Sequence, residues 1–285
     1  FRKEDWEQYQ QVNQKFADVV LAEIKNQDRP IVLIQDYQLA LVPRMVKSQR
    51  PGAVVGLFWH IPWPNPESFS ICPWKKEVLD GILGADLIGF HTQLYCNNFI
   101  ETVGKELESL IDYEKFTITR NNHTSYIKPF PISIAFSNGF EKPDEGNSKI
   151  ENEKLIKSLG IKTKYIGLGV DRLDYIKGIL ERLKAIEIFL TKNPDYKTNF
   201  TFIQIAPPSR SQIKKMSDFA QDVEKEIDRI NSLFRIGNWK PIVFLKRHHS
   251  HEEIQKFYKL ADFCLVTSLH DGMNLVAKEF AAARN

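Results

Sequence analysis

Short runs of apolar, β-branched-rich sequence recur along this chain, separated by longer amphipathic stretches, and this alternation constrains the fold more than any other feature. The runs are 31–35 (IVLIQ), 53–59 (AVVGLFW), 86–90 (DLIGF), 165–170 (YIGLGV), 200–206 (FTFIQIA), 241–245 (PIVFL) and 263–267 (FCLVT). Most are apolar almost throughout, as expected for strands of a parallel sheet covered on both faces. Helical patterns fill 37–49, 73–83, 92–103, 178–192, 211–233 and 251–261, and the chain opens on another. The order strand, helix, strand predicts α/β doubly wound units.

The rhythm breaks once. Residues 115–134 read as a hairpin: FTITR, a polar NNH turn, then SYIKPFPISI. The stretch 137–150 (SNGFEKPDEGNSKI) is rich in Gly, Pro, Asn and charge, which predicts a linker. The boundary falls near residue 142 and divides the chain into 1–142 and 143–285. A length of 285 residues agrees with about two domains.

Composition excludes several classes. Lys plus Arg number 39 and Asp plus Glu 36, a net +3. That balance does not point to nucleic acid or to a membrane surface. With 42% hydrophobic and 26% charged residues the chain is not a disordered one. No apolar run approaches the roughly 18 residues of a membrane span. Cys72, Cys96 and Cys264 form neither a zinc pattern nor a disulfide framework, so a reducing compartment, the cytoplasm, is expected. There is no initiator Met or signal peptide, and the chain closes on KEFAAARN inside a helical pattern. A piece of a longer protein is therefore expected.

Ligands of open α/β sheets bind beyond the carboxyl ends of the strands. The residues there are Asp36, His60, His91, Asp171, Arg172, Ser209, Arg210, Arg247, His248, His249, Asp271 and Gly272. Two such edges facing each other would enclose a polar cleft. VDRLDYIKG (170–178) is a strand-to-helix turn with Arg172 and Lys177 beside a helix start, and Gly178 lets backbone approach a ligand. Such a turn either holds a diphosphate or pairs its cations with Asp174 or Glu181. In SLHDGMNLVAKE (268–279), Asp271 is either a helix N-cap or a ligand-binding acid. The Met273, Asn274 and Leu275 amides are then orphan donors at a helix start. Glu279 lies about 20° around a helix from Gly272 and faces the ligand side, toward ribose hydroxyls. WHIPWPNPESF (59–69) cannot be regular structure with three prolines; it is a stiff loop holding His60 and Trp63. HHSH (248–251) lacks the partner spacing of a metal site.

Taken together, IQDYQLALVP, WHIPWPNPESF, ADLIGFHTQ, VDRLDYIKG, QIAPPSR and VTSLHDGMNLVAKE resemble the family of trehalose-6-phosphate synthases over nearly the whole chain. The resemblance implies an α/β fold of two facing Rossmann-like domains (GT-B), both truncated here, with an acceptor-side 1–142 and a nucleotide-sugar donor-binding 143–285. It implies a retaining transfer of glucose from UDP-glucose to glucose 6-phosphate, giving trehalose 6-phosphate and UDP, with no cofactor and no essential metal. It implies that Arg172 and Lys177 bind the donor diphosphate, with Asp271 on the transferred glucose. The Gly272, Met273, Asn274 and Leu275 backbone lies beside it. Glu279 is the implied ribose ligand, His60 lies over the donor sugar, and His248 lines the donor pocket. Asp36, His91 and Arg210 are the implied acceptor ligands. Gln35 and Gln38 stand where the family has histidines.

Partners are the two sugars, without nucleic acid or membrane, and a homo-oligomer is compatible. A glucosylglycerol-phosphate synthase would share the donor residues. A non-catalytic regulatory homologue would usually lose the Arg/Lys pair or the DGMN loop. A dinucleotide-binding dehydrogenase would need G-x-G-x-x-G after a first strand, and none is present.

Overall fold

The computed structural model describes residues 1–135, 153–208 and 213–284. It divides into two units, Phe1–Ile132 and Ser133–Asn285. The expected boundary near residue 142 lies outside the described residues.

In the first unit, helix α1 (Lys3–Glu23) precedes β1 (Ile31–Gln35), α2 (Val42–Gln49), β2 (Val54–Phe58), α3 (Pro66–Phe69), α4 (Lys75–Ile82), β3 (Leu87–Phe90) and α5 (Gln93–Glu106). Three strands close the unit: β4 (Leu110–Asp112), β5 (Thr117–Arg120) and β6 (His123–Pro129). The sheet order is β1-β2-β3-β6-β5-β4. The first four strands are parallel, and β5 and β4 add antiparallel. The hairpin turn is as expected: Asn121 and Asn122 take φ of 50° and 60°, the double left-handed geometry that asparagine tolerates and that matches strand twist.

Three expectations are corrected here. The stretch 37–49 is not one helix: a 3-10 turn at Tyr37–Leu39 comes first, and α2 starts at Val42 with Pro43 in its opening turn. The proline loop is irregular only as far as Asn65. There Pro66 opens α3 and the Asn65 side chain accepts from the Ser68 amide at 2.8 Å, because a proline at the first helical position forfeits no helix bond. The sheet is also covered on one face only among the described residues. β1 alternates between exposed and buried, leaving Ile31 81% and Leu33 69% exposed. The covered face packs Val55, Leu57, Ile88, Phe90 and Phe99 with the wholly buried Trp63. Trp63 anchors the proline loop by donating to Thr102 Oγ1 at 3.0 Å and stacking on Phe69.

The second unit holds β7 (Tyr165–Val170), α6 (Ile179–Lys192), β8 (Phe200–Ile205), α7 (Lys214–Leu233), β9 (Ile242–Leu245), α8 (His251–Leu260), β10 (Phe263–Cys264) and α9 (Leu275–Ala282). Its sheet is parallel throughout, in the order β10-β7-β8-β9. Here the expectation of burial on both faces holds, and all six residues of β8 are buried. Leu183, Ile186, Val223 and Ile227 cover one face, and Phe257, Tyr258, Val276 and Phe280 cover the other. Expected to reach residue 267, β10 stops at Cys264, and Thr267 beyond it is bonded to the loop after β7 instead. No helix among the described residues is long and apolar enough to cross a membrane.

Candidate active site

Each strand of the second unit ends at the same edge, and the loops leaving that edge carry the polar groups. The loop after β7 runs from Asp171 to Gly178, where a 3-10 turn at Tyr175–Lys177 leads into α6. Gly178 takes φ +61°, and a Cβ there would lie 2.2 Å from the Thr267 carbonyl oxygen. The glycine admits neighbouring backbone, not a ligand as expected. Thr267 Oγ1 sits 3.0 Å from the Gly178 carbonyl, and the Leu269 amide donates to the Ile176 carbonyl at 2.8 Å. The loops after β7 and β10 are thus joined by a main-chain bond and by the Thr267 hydroxyl.

Beneath them lies Arg182, from α6 and fully buried. It donates to Asp171 Oδ2 at 2.7 Å, Gln204 Oε1 at 2.8 Å and Thr267 Oγ1 at 3.1 Å. Burial raises the Asp171 carboxyl above its ordinary range, with the Arg182 charge acting against it. One buried side chain therefore ties the ends of β7, β8 and β10 to a helix, a role sequence reading missed because its partners are distant in the chain.

Above this floor, Lys177 Nζ donates to Asp271 Oδ2 at 2.7 Å. Ser268 Oγ and Asn274 Nδ2 each lie 3.2 Å from the same oxygen. Burial raises the Asp271 carboxyl, but the bonds from Lys177 and Asn274 outweigh it and hold its pKa below the usual range. Asp271 is not a helix cap. The cap is Asn274, whose side-chain oxygen accepts from the Ala277 amide at 3.1 Å, and α9 begins at Leu275. Met273 and Asn274 therefore precede the helix. Lys177 does not pair with Asp174 or Glu181; Asp174 caps the 3-10 turn instead. Arg172 is exposed and has no hydrogen-bond or ion-pair partner among the described residues.

These groups line a cavity of about 310 Å³ with His248, His249, Met273, Asn274, Leu275, Val276 and Glu279. Gly272 lies outside α9, so the helical-angle argument for Glu279 does not apply. Glu279 reaches the cavity as the fifth residue of α9 and accepts a 2.7 Å hydrogen bond from the Tyr258 hydroxyl. His248 is exposed, whereas His249 is buried against Phe257. Burial, then the Arg247 charge, lowers the His249 pKa. A larger cavity of about 920 Å³ opens at the other edge of this sheet, around Thr163, Thr198 and Lys240. Among the described residues no ion pair converges there, whereas the Lys177–Asp271 pair lies in the smaller cavity. Among the described residues no group of three or more His, Cys, Asp or Glu is arranged to hold a metal.

In the first unit, Asp36, His60 and His91 follow β1, β2 and β3. Asp36 takes φ 66° and ψ 178°, a region entered essentially by glycine alone. Two bonds hold it there: its amide donates to the Phe58 carbonyl at 2.7 Å, and its Oδ1 accepts from the His60 amide at 3.1 Å. His60 Nε2 lies 2.7 Å from Gln35 Oε1. The His60 and His91 ring centroids are 5.6 Å apart, with Phe58 against both. The three expected residues of this unit come together. The expected acceptor ligand Arg210 lies outside the described residues.

A family model for glycosyltransferase family 20 matches residues 1–285. The chain belongs to glycosyltransferase family 20. Its relatives within this family include the alpha,alpha-trehalose-phosphate synthase (UDP-forming) of Pichia angusta, 36% identical over 98% of this chain and 59% of the relative. The trehalose-6-phosphate synthase of Mycobacterium leprae is also 36% identical, over 98% of this chain and 57% of the relative. Among solved structures, a trehalose-6-phosphate protein from E. coli bound with UDP-2-fluoro glucose matches with a TM-score of 0.87 at 30% identity. It covers 100% of this chain and 62% of that one. An alpha,alpha-trehalose-phosphate synthase (UDP-forming) from Burkholderia xenovorans in complex with glucose-6-phosphate matches with a TM-score of 0.89 at 26% identity, covering 100% and 62%. The family 20 chain thus spans about three fifths of these relatives, and its α/β class, with the GT-B assignment, agrees with them.

Proposed function

We propose that this chain forms the larger part of a retaining glycosyltransferase that moves glucose from UDP-glucose to glucose 6-phosphate, giving trehalose 6-phosphate and UDP. The observation that carries the reading is a single cavity holding the Lys177–Asp271 pair beside Arg172, which is unpaired among the described residues. A nucleoside diphosphate leaving group gains negative charge as its bond to the sugar breaks. Fixed cations beside it stabilise that charge without reorganising. Arg172 and Lys177 are assigned to the diphosphate, Asp271 to hydroxyls of the transferred glucose, and Glu279 to the ribose. The main chain of Gly272, Met273, Asn274 and Leu275 lies beside the sugar, and His248 lines the rim.

Asp36 and His91 are assigned to the acceptor sugar and His60 to the donor sugar, with Arg210 on the acceptor phosphate. On the retaining path the bond from C1 to the diphosphate oxygen breaks while the acceptor oxygen bonds C1 on the same face. The acceptor proton passes to the departing phosphate oxygen. The ligands of the E. coli and Burkholderia structures, a UDP-sugar and glucose-6-phosphate, support both halves of this reading. We place the reaction in the cytoplasm, where the free thiols of Cys72, Cys96 and Cys264 persist.

The test is UDP release by the full protein from UDP-glucose, with glucose 6-phosphate or glycerol 3-phosphate as acceptor. Turnover with glucose 6-phosphate and a trehalose 6-phosphate product is expected. Turnover with glycerol 3-phosphate alone overturns the acceptor, and no UDP release with either overturns the transferase.

A further inference from the structure

We infer that Tyr258 is the positioning residue for the nucleoside end of the donor cavity: its hydroxyl aims the Glu279 carboxylate, and this sets a preference for ribonucleoside over 2′-deoxyribonucleoside diphosphates. The inference rests on the proposed role of Glu279 at the ribose.

Tyr258 lies on α8 and is 0% exposed, packed edge-on against Phe280 of α9. A phenol in an apolar layer must find an acceptor or leave its O–H unsatisfied. Its acceptor is Glu279 Oε2 at 2.7 Å, across the contact between the two helices. Burial first, and Glu279 second, raise the Tyr258 pKa well above its ordinary value. The phenol therefore remains a donor at every pH at which the protein works.

A glutamate side chain is flexible and gains little selectivity unless something fixes it. Here the bond from Tyr258 is made on the buried side of Glu279, while Glu279 also lines the cavity. Each carboxylate oxygen accepts more than one hydrogen bond, so Oε1 and the remaining lone pair of Oε2 stay available. Two oxygens held side by side match the two hydroxyls of a ribose, and a 2′-deoxyribose supplies only one of them. A hydrogen bond to an ionised partner contributes more than a neutral one. The deoxy sugar is thus discriminated against in proportion to how firmly the carboxylate is aimed.

The experiment is Tyr258→Phe in the full protein, which keeps the packed ring and removes only the hydroxyl. Calorimetry reads the affinities for UDP and 2′-deoxy-UDP, and kinetics read KM and kcat for UDP-glucose and KM for glucose 6-phosphate. We expect UDP affinity to fall about tenfold, as for the loss of one charge-assisted bond, and 2′-deoxy-UDP affinity to fall much less. The ratio of the two then collapses. KM for UDP-glucose rises, while kcat and KM for glucose 6-phosphate hold. A wild-type ratio in Tyr258→Phe, or an equal loss for both nucleotides, overturns the positioning role. Glu279→Gln separates the two layers. If it compresses the ratio and Tyr258→Phe does not, only the positioning role fails. If Glu279→Gln also leaves the ratio unchanged, the ribose assignment itself fails. The ratio is read on folded protein, so a lower melting temperature in either variant leaves these outcomes distinct.

Discussion

Lys177 and Asp271 stand 94 positions apart in the chain, and their side chains meet at 2.7 Å on two loops at one edge of a parallel sheet. A diphosphate bound at Lys177, as proposed, would compete with Asp271 for its ammonium. Asp271→Asn should therefore leave UDP affinity equal or higher, because Lys177 is released, while kcat/KM for UDP-glucose falls roughly 10-fold to 100-fold. Melting temperature should move little, since the helix cap is Asn274 and not Asp271. Asn274→Ala, by contrast, should cost about 1 kcal/mol of stability. Wild-type kinetics in Asp271→Asn would remove its sugar role.

Arg172 is exposed and unpaired among the described residues, so no hydrogen bond or ion pair among them is lost in Arg172→Ala. Thermal unfolding should be unchanged. Turnover should fall about 10²–10³-fold if the guanidinium stabilises the leaving diphosphate. Equal turnover in variant and parent would return Arg172 to the ordinary surface.

Gly178→Ala meets two obstacles at once, a left-handed φ of +61° and a carbonyl oxygen 2.2 Å from the new Cβ. Strain of this kind costs about 1–3 kcal/mol, and the clash adds to it. The loop bearing Thr267 must retreat, and it carries Asp271. Chemical denaturation should show the loss, and UDP-glucose KM should rise with it. An alanine variant as stable as the parent would contradict the close approach of the two loops.

His249 bears on pH. Burial lowers its folded pKa below the unfolded value of about 6.5. As pH falls through 6.5 the unfolded chain takes up a proton before the folded one does. The stability attached to His249 is therefore complete above pH of about 6.5 and is lost as pH falls toward the lower folded value. His249→Phe keeps a ring against Phe257 and removes the proton site. Between pH 7.5 and 5 the variant should lose less stability than the parent, measured by denaturant midpoints. Parallel slopes would show that His249 does not titrate in this way.

Much of the second unit is legible in the sequence because its strands are buried on both faces, and such strands advertise themselves as unbroken apolar runs. β7 falls where expected, and β8 differs by one residue at its end. The first unit is less legible. β4 is only Leu-Ile-Asp, too short for an alternating or continuous apolar pattern to mark it. α3 is hidden by prolines that usually end helices, although Pro66 begins one. At the candidate site, residue types following strands single out Asp36, His60, Arg172 and Asp271, and the structure places each beyond the carboxyl end of a strand. Contacts between distant positions leave no local trace. Arg182, Thr267 and Tyr258 act through partners 21 or more residues away, apart from the bond of Arg182 to Asp171, 11 positions off. Asn274 has a local signal as a helix cap, but Asp271, three positions earlier, carries the same cap chemistry and masks it.

Asp36 sits where backbone strain of about 1–3 kcal/mol is expected, and its carboxylate accepts a hydrogen bond from the His60 amide that returns about 1.5–3 kcal/mol. Glycine would occupy the same backbone without that strain. One base change converts an aspartate codon to a glycine codon, so the relaxed variant is a single mutational step away in every generation. Stability alone therefore barely distinguishes the two residues. If the carboxylate also holds the acceptor sugar, as proposed, the glycine allele should surface in a population wherever that reaction is no longer needed.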